Sequence, residues 1–276
     1  MTTALPSRIP ILIYHSLTAE ATEPYRPFSM DPGQFAEQME HIAAGGYETL
    51  TVGQLAAALA GHNGSIPERP LVITFDDGFE DTYSVALPIL TKLGLRSTVY
   101  VVTGQIGGKS GWLAPQGEGE RPMLSAGQVR DLDAAGVDIG SHGHRHVALD
   151  EIPFAEAVRE IETSRDTLEE IVGHRVVTFA YPYGYHTGRI KRYLETTGFE
   201  SACAVKQAIS HPNDDRFALA RAIVNSDITI EGLDSWIRGE GLPMSWRGER
   251  PQTTLWRYVR RMKRALSRSG EGDVHG

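Results

Sequence analysis

The chain has 276 residues, of which 41% are hydrophobic and 22% charged, with a formal net charge of −8. That composition suits one large α/β domain or two small ones with a sizeable core. It excludes a general nucleic-acid binder, which needs clustered cations to meet phosphates. Along the chain, short apolar runs at residues 9–14, 71–75, 97–102, 137–140 and 176–180 read as strands buried on both faces. Weaker runs lie at 201–205 and 220–224. Helical patterns alternate with them. Asp31-Pro32 starts the first, with Phe35, Met39 and Ile42 on one face and Gly45-Gly46 as its stop. Others cover 52–60, 84–93, 125–135, 154–172 and 189–197. Seven strands alternating with helices imply a parallel sheet, open or closed. Residues 104–122 form a long Gly/Pro-rich loop containing Trp112, which is either a binding loop or a disordered insertion.

Each strong run is followed by polar residues of chemical use. His15, Asp76, Asp77, His142 and the Tyr181-Pro182-Tyr183-Gly184 turn all stand at the C-terminal ends of strands. In α/β barrels those ends line the active site. Neighbouring side chains on an extended segment diverge. One of Asp76 and Asp77 can therefore hold a metal while the other stays free as a base. The plainer reading of the pair is a strand-to-helix turn with capping aspartates. His142 and His146 are four apart, so a helical turn would face them the same way. His144 would point elsewhere, and a lone histidine is more often structural than a ligand. One carboxylate with two imidazoles is the usual protein contribution to a catalytic zinc site.

These motifs resemble those of the polysaccharide deacetylases of carbohydrate esterase family 4. Thr74-Phe75-Asp76-Asp77-Gly78 looks like the family's first motif, and His142 with His146 its second. Phe179-Ala180-Tyr181-Pro182-Tyr183-Gly184 looks like the third. The resemblance covers roughly residues 9 to 225. It implies a distorted (β/α)7 TIM-like barrel acting on linear acetamides. It also implies Asp76 as general base, and Asp77, His142 and His146 as ligands of a divalent metal, zinc before cobalt or nickel. The Tyr183 backbone N–H would serve the oxyanion, with Tyr181, Pro182 and Trp112 touching substrate. Three departures stand out. Gly143 replaces the usual Ser or Thr, Ala180 replaces an arginine that tethers the base, and the late Leu-x-x-His motif is missing. Arg221 is the candidate substitute for that arginine. Ile11-Leu12-Ile13-Tyr14-His15 resembles the opening strand of the poly-N-acetylglucosamine deacetylase branch, in which the motif order is permuted. That likeness implies His15 as the general acid.

Residues 1–242 are expected to form the catalytic barrel and 243–276 a basic tail. Between Trp246 and Arg268 eight Lys/Arg face one Glu. Leu255, Val259, Met262 and Leu266 fall at helical spacing, so this segment is either a solvated helix or one that meets an anionic membrane. The single cysteine, Cys203, permits no intrachain disulfide. The absence of a signal-like start or a span-length apolar run makes a cytoplasmic enzyme the expectation. The expected partner is an N-acetylated glycan, either a polymer or a lipid-linked precursor. Two rival functions are a cyclic-amide hydrolase of the same superfamily and a catalytically silent glycan-binding barrel.

Overall fold

A computed structural model of the chain describes residues 6–62 and 65–246. The apolar runs become a parallel sheet because each is shielded from water on both sides. The strands are β1 (Ile11–Tyr14), β2 (Ser16–Leu17), β3 (Ser29–Met30), β4 (Glu48–Leu50) and β5 (Pro70–Phe75). They continue with β6 (Thr98–Val101), β7 (Asp138–Ser141), β8 (Thr178–Ala180), β9 (Ser201–Cys203) and β10 (Ala222–Ile223). The main sheet runs β10-β1-β5-β6-β7-β8-β9, with β4 added beside β5, and β2 pairs with β3 separately. All these pairings are parallel. An isolated parallel bridge from Cys203 to Leu219 links β9 to the segment that leads into β10. The sheet thus curves into at least a half-barrel, wrapped by helices.

The helices are α1 (Pro32–Ala44), α2 (Val52–Leu59), α3 (Leu87–Leu93), α4 (Ala126–Ala134), α5 (Phe154–Val172), α6 (Gly188–Thr196) and α7 (Ile230–Ile237). Their starts follow local chemistry. The Asp31 carboxylate accepts from the Gly33 and Gln34 amides ahead of Pro32. Thr51 with Gln54 and Ser125 with Gln128 make reciprocal capping boxes. The outward strand faces pack on the helices through Leu12, Ile73, Phe75, Val99 and Ile139. The inward faces meet through Ile11, Val72, Tyr100, Ala180, Cys203 and Leu219. β4, α7 and the β2–β3 pair were not expected from the sequence.

Strand alternation decides what enters the interior. On β5, Val72 and Thr74 share the inward face, and the same period aims Asp76 inward just beyond the strand. On β7 the inward position is Gly140, where an added Cβ would lie 2.4 Å from the Tyr100 ring. Its bare backbone makes room for that ring. Contacts also run past residue 242. The Ile209 amide donates to the Pro243 carbonyl (2.9 Å), and Ser245 Oγ donates to Asp214 (2.8 Å). The basic stretch 247–276, including the expected 255–268 helix, lies outside the described residues.

Candidate metal and catalytic site

Asp76, Asp77, His142 and His146 meet on one cavity of about 400 Å³, which His15, Trp112 and Tyr183 also line. Asp77, His142 and His146 each offer a ligand atom, all within 4.8 Å of one another. Asp77 Oδ1 lies 3.1 Å from His146 Nε2 and 3.4 Å from His142 Nε2. His142 Nδ1 is 2.8 Å from the Ala180 carbonyl, which can only accept. The ring proton is therefore on Nδ1, and Nε2 is left bare toward Asp77. Asp77 Oδ1 is buried with no hydrogen-bond partner among the described residues. A carboxylate oxygen so placed between two imidazole nitrogens fits a divalent transition metal.

Electrostatics support this division of labour. Burial pushes the Asp77 carboxyl up, but His146 and His142 outweigh it and hold the group well below the usual carboxylate range. Burial lowers the His142 pKa, and Asp76 and Asp77 more than offset that, so it ends raised. Asp76 is held differently. Arg221 Nη1 and Nη2 donate to its two oxygens at 2.7 Å each, and Nη1 also reaches Thr74 Oγ1 at 3.1 Å. Arg221 is fully buried, with its guanidinium 5.3 Å from the Tyr100 ring centre. Burial raises the Asp76 pKa, and the Arg221 charge, followed by His142, brings it below its ordinary value. The anchoring arginine expected at position 180 thus comes from position 221, one residue before β10.

The histidine segment departs from expectation. His142 and His146 do not share a helical turn: residues 142–148 are loop, with Gly143 at φ 78° and His146 at φ 56°. Positive φ at a non-glycine residue is costly and persists only where surroundings enforce it. Here the Gly143 and His144 carbonyls accept from the Thr103 and Gly104 amides (3.2 and 2.8 Å). Glu160 on α5 accepts from the His144 and Arg145 amides at 3.1 and 2.8 Å. His144 pairs with Thr103 Oγ1 at 3.0 Å and faces away from the cluster. The left-handed backbone at Gly143 explains why glycine stands there. Asp77 (φ 75°) and Tyr183 (φ 60°) are also strained, so strain gathers at this site.

His15 follows β1 and lines the cavity, with its Nδ1 buried and unpartnered among the described residues. Burial lowers its pKa, and the nearby Asp77 and Asp76 charges only partly restore it. Tyr183 stands 51% exposed at the rim, its ring centre 4.6 Å from that of His146. Trp112 lies 5.0 Å from the same ring. The loop at 104–122 includes a 3-10 turn at Gly111–Gln116, and it carries Trp112, Leu113 and Gln116 to the cavity. Tyr181 and Pro182, expected to touch substrate, do not line it. Tyr181 is fully buried, stacks on His186 at 4.5 Å and donates to the Phe217 carbonyl at 2.9 Å. Its hydroxyl is committed to holding the turn. Sequence reasoning missed Glu160, Tyr25 and Gln116. Only Glu160 left a trace, as an acid on the otherwise buried stripe Ala157, Ile161, Ser164 and Leu168 of α5.

Among the described residues, no helix is long and apolar enough to cross a membrane. Residues 63–202 match the polysaccharide deacetylase family. That span holds Asp76, Asp77, His142, His146 and Tyr183 but neither His15 nor Arg221. YxkH of Bacillus subtilis (strain 168), named as a polysaccharide deacetylase, is 23% identical over 85% of this chain and 78% of its own length. The poly-beta-1,6-N-acetyl-D-glucosamine N-deacetylase of Staphylococcus aureus (strain MSSA476) is 21% identical over 76% and 72%. Two solved structures share the fold. The Streptococcus pyogenes deacetylase PplD, in complex with acetate, superposes with a TM-score of 0.72 at 23% identity, covering 83% of this chain and 98% of that one. IcaB from Ammonifex degensii gives 0.71 at 24%, covering 85% and 98%.

Proposed function

The chain belongs to the polysaccharide deacetylase family, and from that premise we propose that it is a metal-dependent hydrolase that removes N-acetyl groups from a glycan. One observation carries the reading. A buried Asp-His-His set lies beside a second carboxylate, Asp76, whose two oxygens are both held by Arg221. We read the sheet as a distorted (β/α)7 barrel, closed through the Cys203–Leu219 bridge. The matched staphylococcal enzyme is named for poly-β-1,6-N-acetylglucosamine, so that polymer is the first substrate to test. A lipid-linked precursor of such a polymer is the second.

Asp77, His142 and His146 would hold the metal, zinc first, with cobalt or nickel as substitutes. A divalent ion there supplies Lewis-acid activation of water and of the acetamide carbonyl. Asp76 takes the proton of the attacking water. Arg221 fixes its carboxylate in one orientation and keeps it ionised. The Tyr183 N–H serves the developing oxyanion. His15 gives a proton to the departing amine, and Trp112 packs against the sugar. The intact ligand set disfavours a cyclic-amide hydrolase and a silent binding barrel.

Acetate release from N-acetylglucosamine oligomers, with zinc, cobalt or nickel added, tests this reading. Asp77→Ala and His142→Ala should lose bound metal and activity together. His15→Ala should keep the metal and lose on the order of a hundredfold in turnover. A fully active His15→Ala would remove His15 from the mechanism. For the lipid-linked substrate, co-sedimentation with anionic vesicles should fall in a chain ending at residue 246, which keeps the Pro243 and Ser245 contacts; equal binding would reject the membrane role of the basic stretch.

A further inference from the structure

Six buried side-chain polar atoms without hydrogen-bond partners among the described residues lie on residues lining the one cavity. Three belong to the machinery already described: His15 Nδ1, Asp77 Oδ1 and His146 Nδ1. The other three are Tyr25 Oη, Trp112 Nε1 and Gln116 Oε1. All three stand on the wall built from the segment after β2 and the loop that follows β6.

That wall is firmly held. The Glu118 carboxylate accepts from the Thr22 amide and from Arg121 Nε, and Thr22 Oγ1 donates to the Gln116 carbonyl (2.7 Å). The Tyr25 ring packs at 5.9 to 6.1 Å from Phe28 and Phe79, and Phe79 at 6.3 Å from Trp112. Tyr25 is only 2% exposed. A tightly packed wall that leaves three polar groups unsatisfied is destabilising unless water, or a ligand that displaces it, completes it. The groups state what that ligand is. Trp112 Nε1 can only donate, Gln116 Oε1 can only accept, and the Tyr25 hydroxyl does both. The complement is a group that both donates and accepts, as a sugar hydroxyl does. The wall is also effectively neutral. Arg121, whose guanidinium lies over the Tyr25 ring at 5.5 Å, is committed to Glu118, Ser16 and the Glu20 carbonyl. Among the described residues, a phosphate or carboxylate would find no free cation there.

We propose that Tyr25, Trp112 and Gln116 form a hydroxyl-recognition wall for a neutral pyranose ring next to the acetamide, and so set the preference for glycan over simple acetyl compounds. The proposal rests on the deacetylase reading above.

The test compares wild type with Tyr25→Phe, Gln116→Leu and the double variant on an N-acetylglucosamine pentamer and on 4-nitrophenyl acetate, which has no sugar hydroxyls. The ratio of kcat/KM for pentamer over aryl acetate should fall about tenfold per single variant and about a hundredfold in the double, mostly through KM. Equal losses on both substrates, or an unchanged ratio, would overturn the wall. If wild type releases acetate from neither substrate, the deacetylase reading fails instead. Calorimetric binding of the pentamer then still decides on the wall: tenfold weaker binding by Tyr25→Phe supports it, and unchanged binding rejects it.

Discussion

Two walls line the cavity, a metal side and a loop side, and each keeps three buried polar atoms without partners among the described residues. On the metal side, other parts of the chain also fix the groups around those atoms. Ala180 orients His142, Glu160 holds the histidine loop, and Arg221 grips Asp76. On the loop side Tyr25, Trp112 and Gln116 end in atoms with no partner among the described residues. We read the first wall as geometry fixed by folding and the second as geometry completed by a ligand. Damage to the first wall should show in metal content, stability and turnover on any substrate. Damage to the second should show in the choice of substrate.

The sharpest break comes from Asp76→Asn, which leaves the buried Arg221 charge uncompensated and so lowers stability, but changes no metal ligand; the folded fraction should keep the metal yet lose ~10²- to 10⁴-fold in kcat on glycan and aryl acetate alike. A loss on only one substrate would move Asp76 to the recognition wall. Next is Arg221→Met. It leaves a buried carboxylate without its partner, a change that typically costs roughly 3–5 kcal/mol. Denaturant titration should show that loss, and kcat should fall even where the protein remains folded. Glu160→Gln touches neither metal nor substrate. It weakens the hold on the His144 and Arg145 amides, and metal affinity should fall about 10- to 100-fold, as for other groups that orient ligands. Unchanged affinity would show that the Thr103 and Gly104 contacts suffice to shape the loop.

The smallest effect belongs to the loop side. Asp81 accepts from Ser16 Oγ at 2.6 Å, and Ser16 in turn accepts from Arg121. Burial pushes the Asp81 carboxyl up to about 6, with the Ser16 and Leu17 hydrogen bonds opposing it. The folded state therefore holds this proton more tightly than the unfolded chain. Asp81 favours folding most below pH ~4, and its contribution declines as pH rises through about 6 and is flat above. Asp81→Asn should flatten the thermal midpoint over that window and add roughly 1–3 kcal/mol at neutral pH. An unchanged pH profile would remove Asp81 from the balance of forces.

The parallel strands were legible because strands buried on both faces leave continuous apolar runs. The two-residue strands β2 and β3 and the short β4 leave no such trace. Asp76, Asp77, His142 and His146 could be read because each interrupts or follows an apolar strand where a core residue would be expected. Their local geometry could not. A spacing of four fits a helical turn equally well, and only the backbone at Gly143 and His146 shows a loop instead. Tyr181 misled for a related reason: its hydroxyl partner lies 36 residues away, at Phe217. Arg221 was recoverable as a lone cation beside an apolar run, although its partner sits 145 residues earlier. Tyr25 and Gln116 gave no signal, since having no partner is a property of the fold alone.

The most direct measurement is acetate release from N-acetylglucosamine oligomers by metal-stripped protein titrated with zinc, run beside Asp77→Ala. The stripped enzyme should release no acetate, stoichiometric zinc should restore release, and Asp77→Ala should show neither zinc uptake nor recovery. Full activity in the stripped enzyme, or zinc-restored activity in Asp77→Ala, would contradict metal-dependent deacetylation.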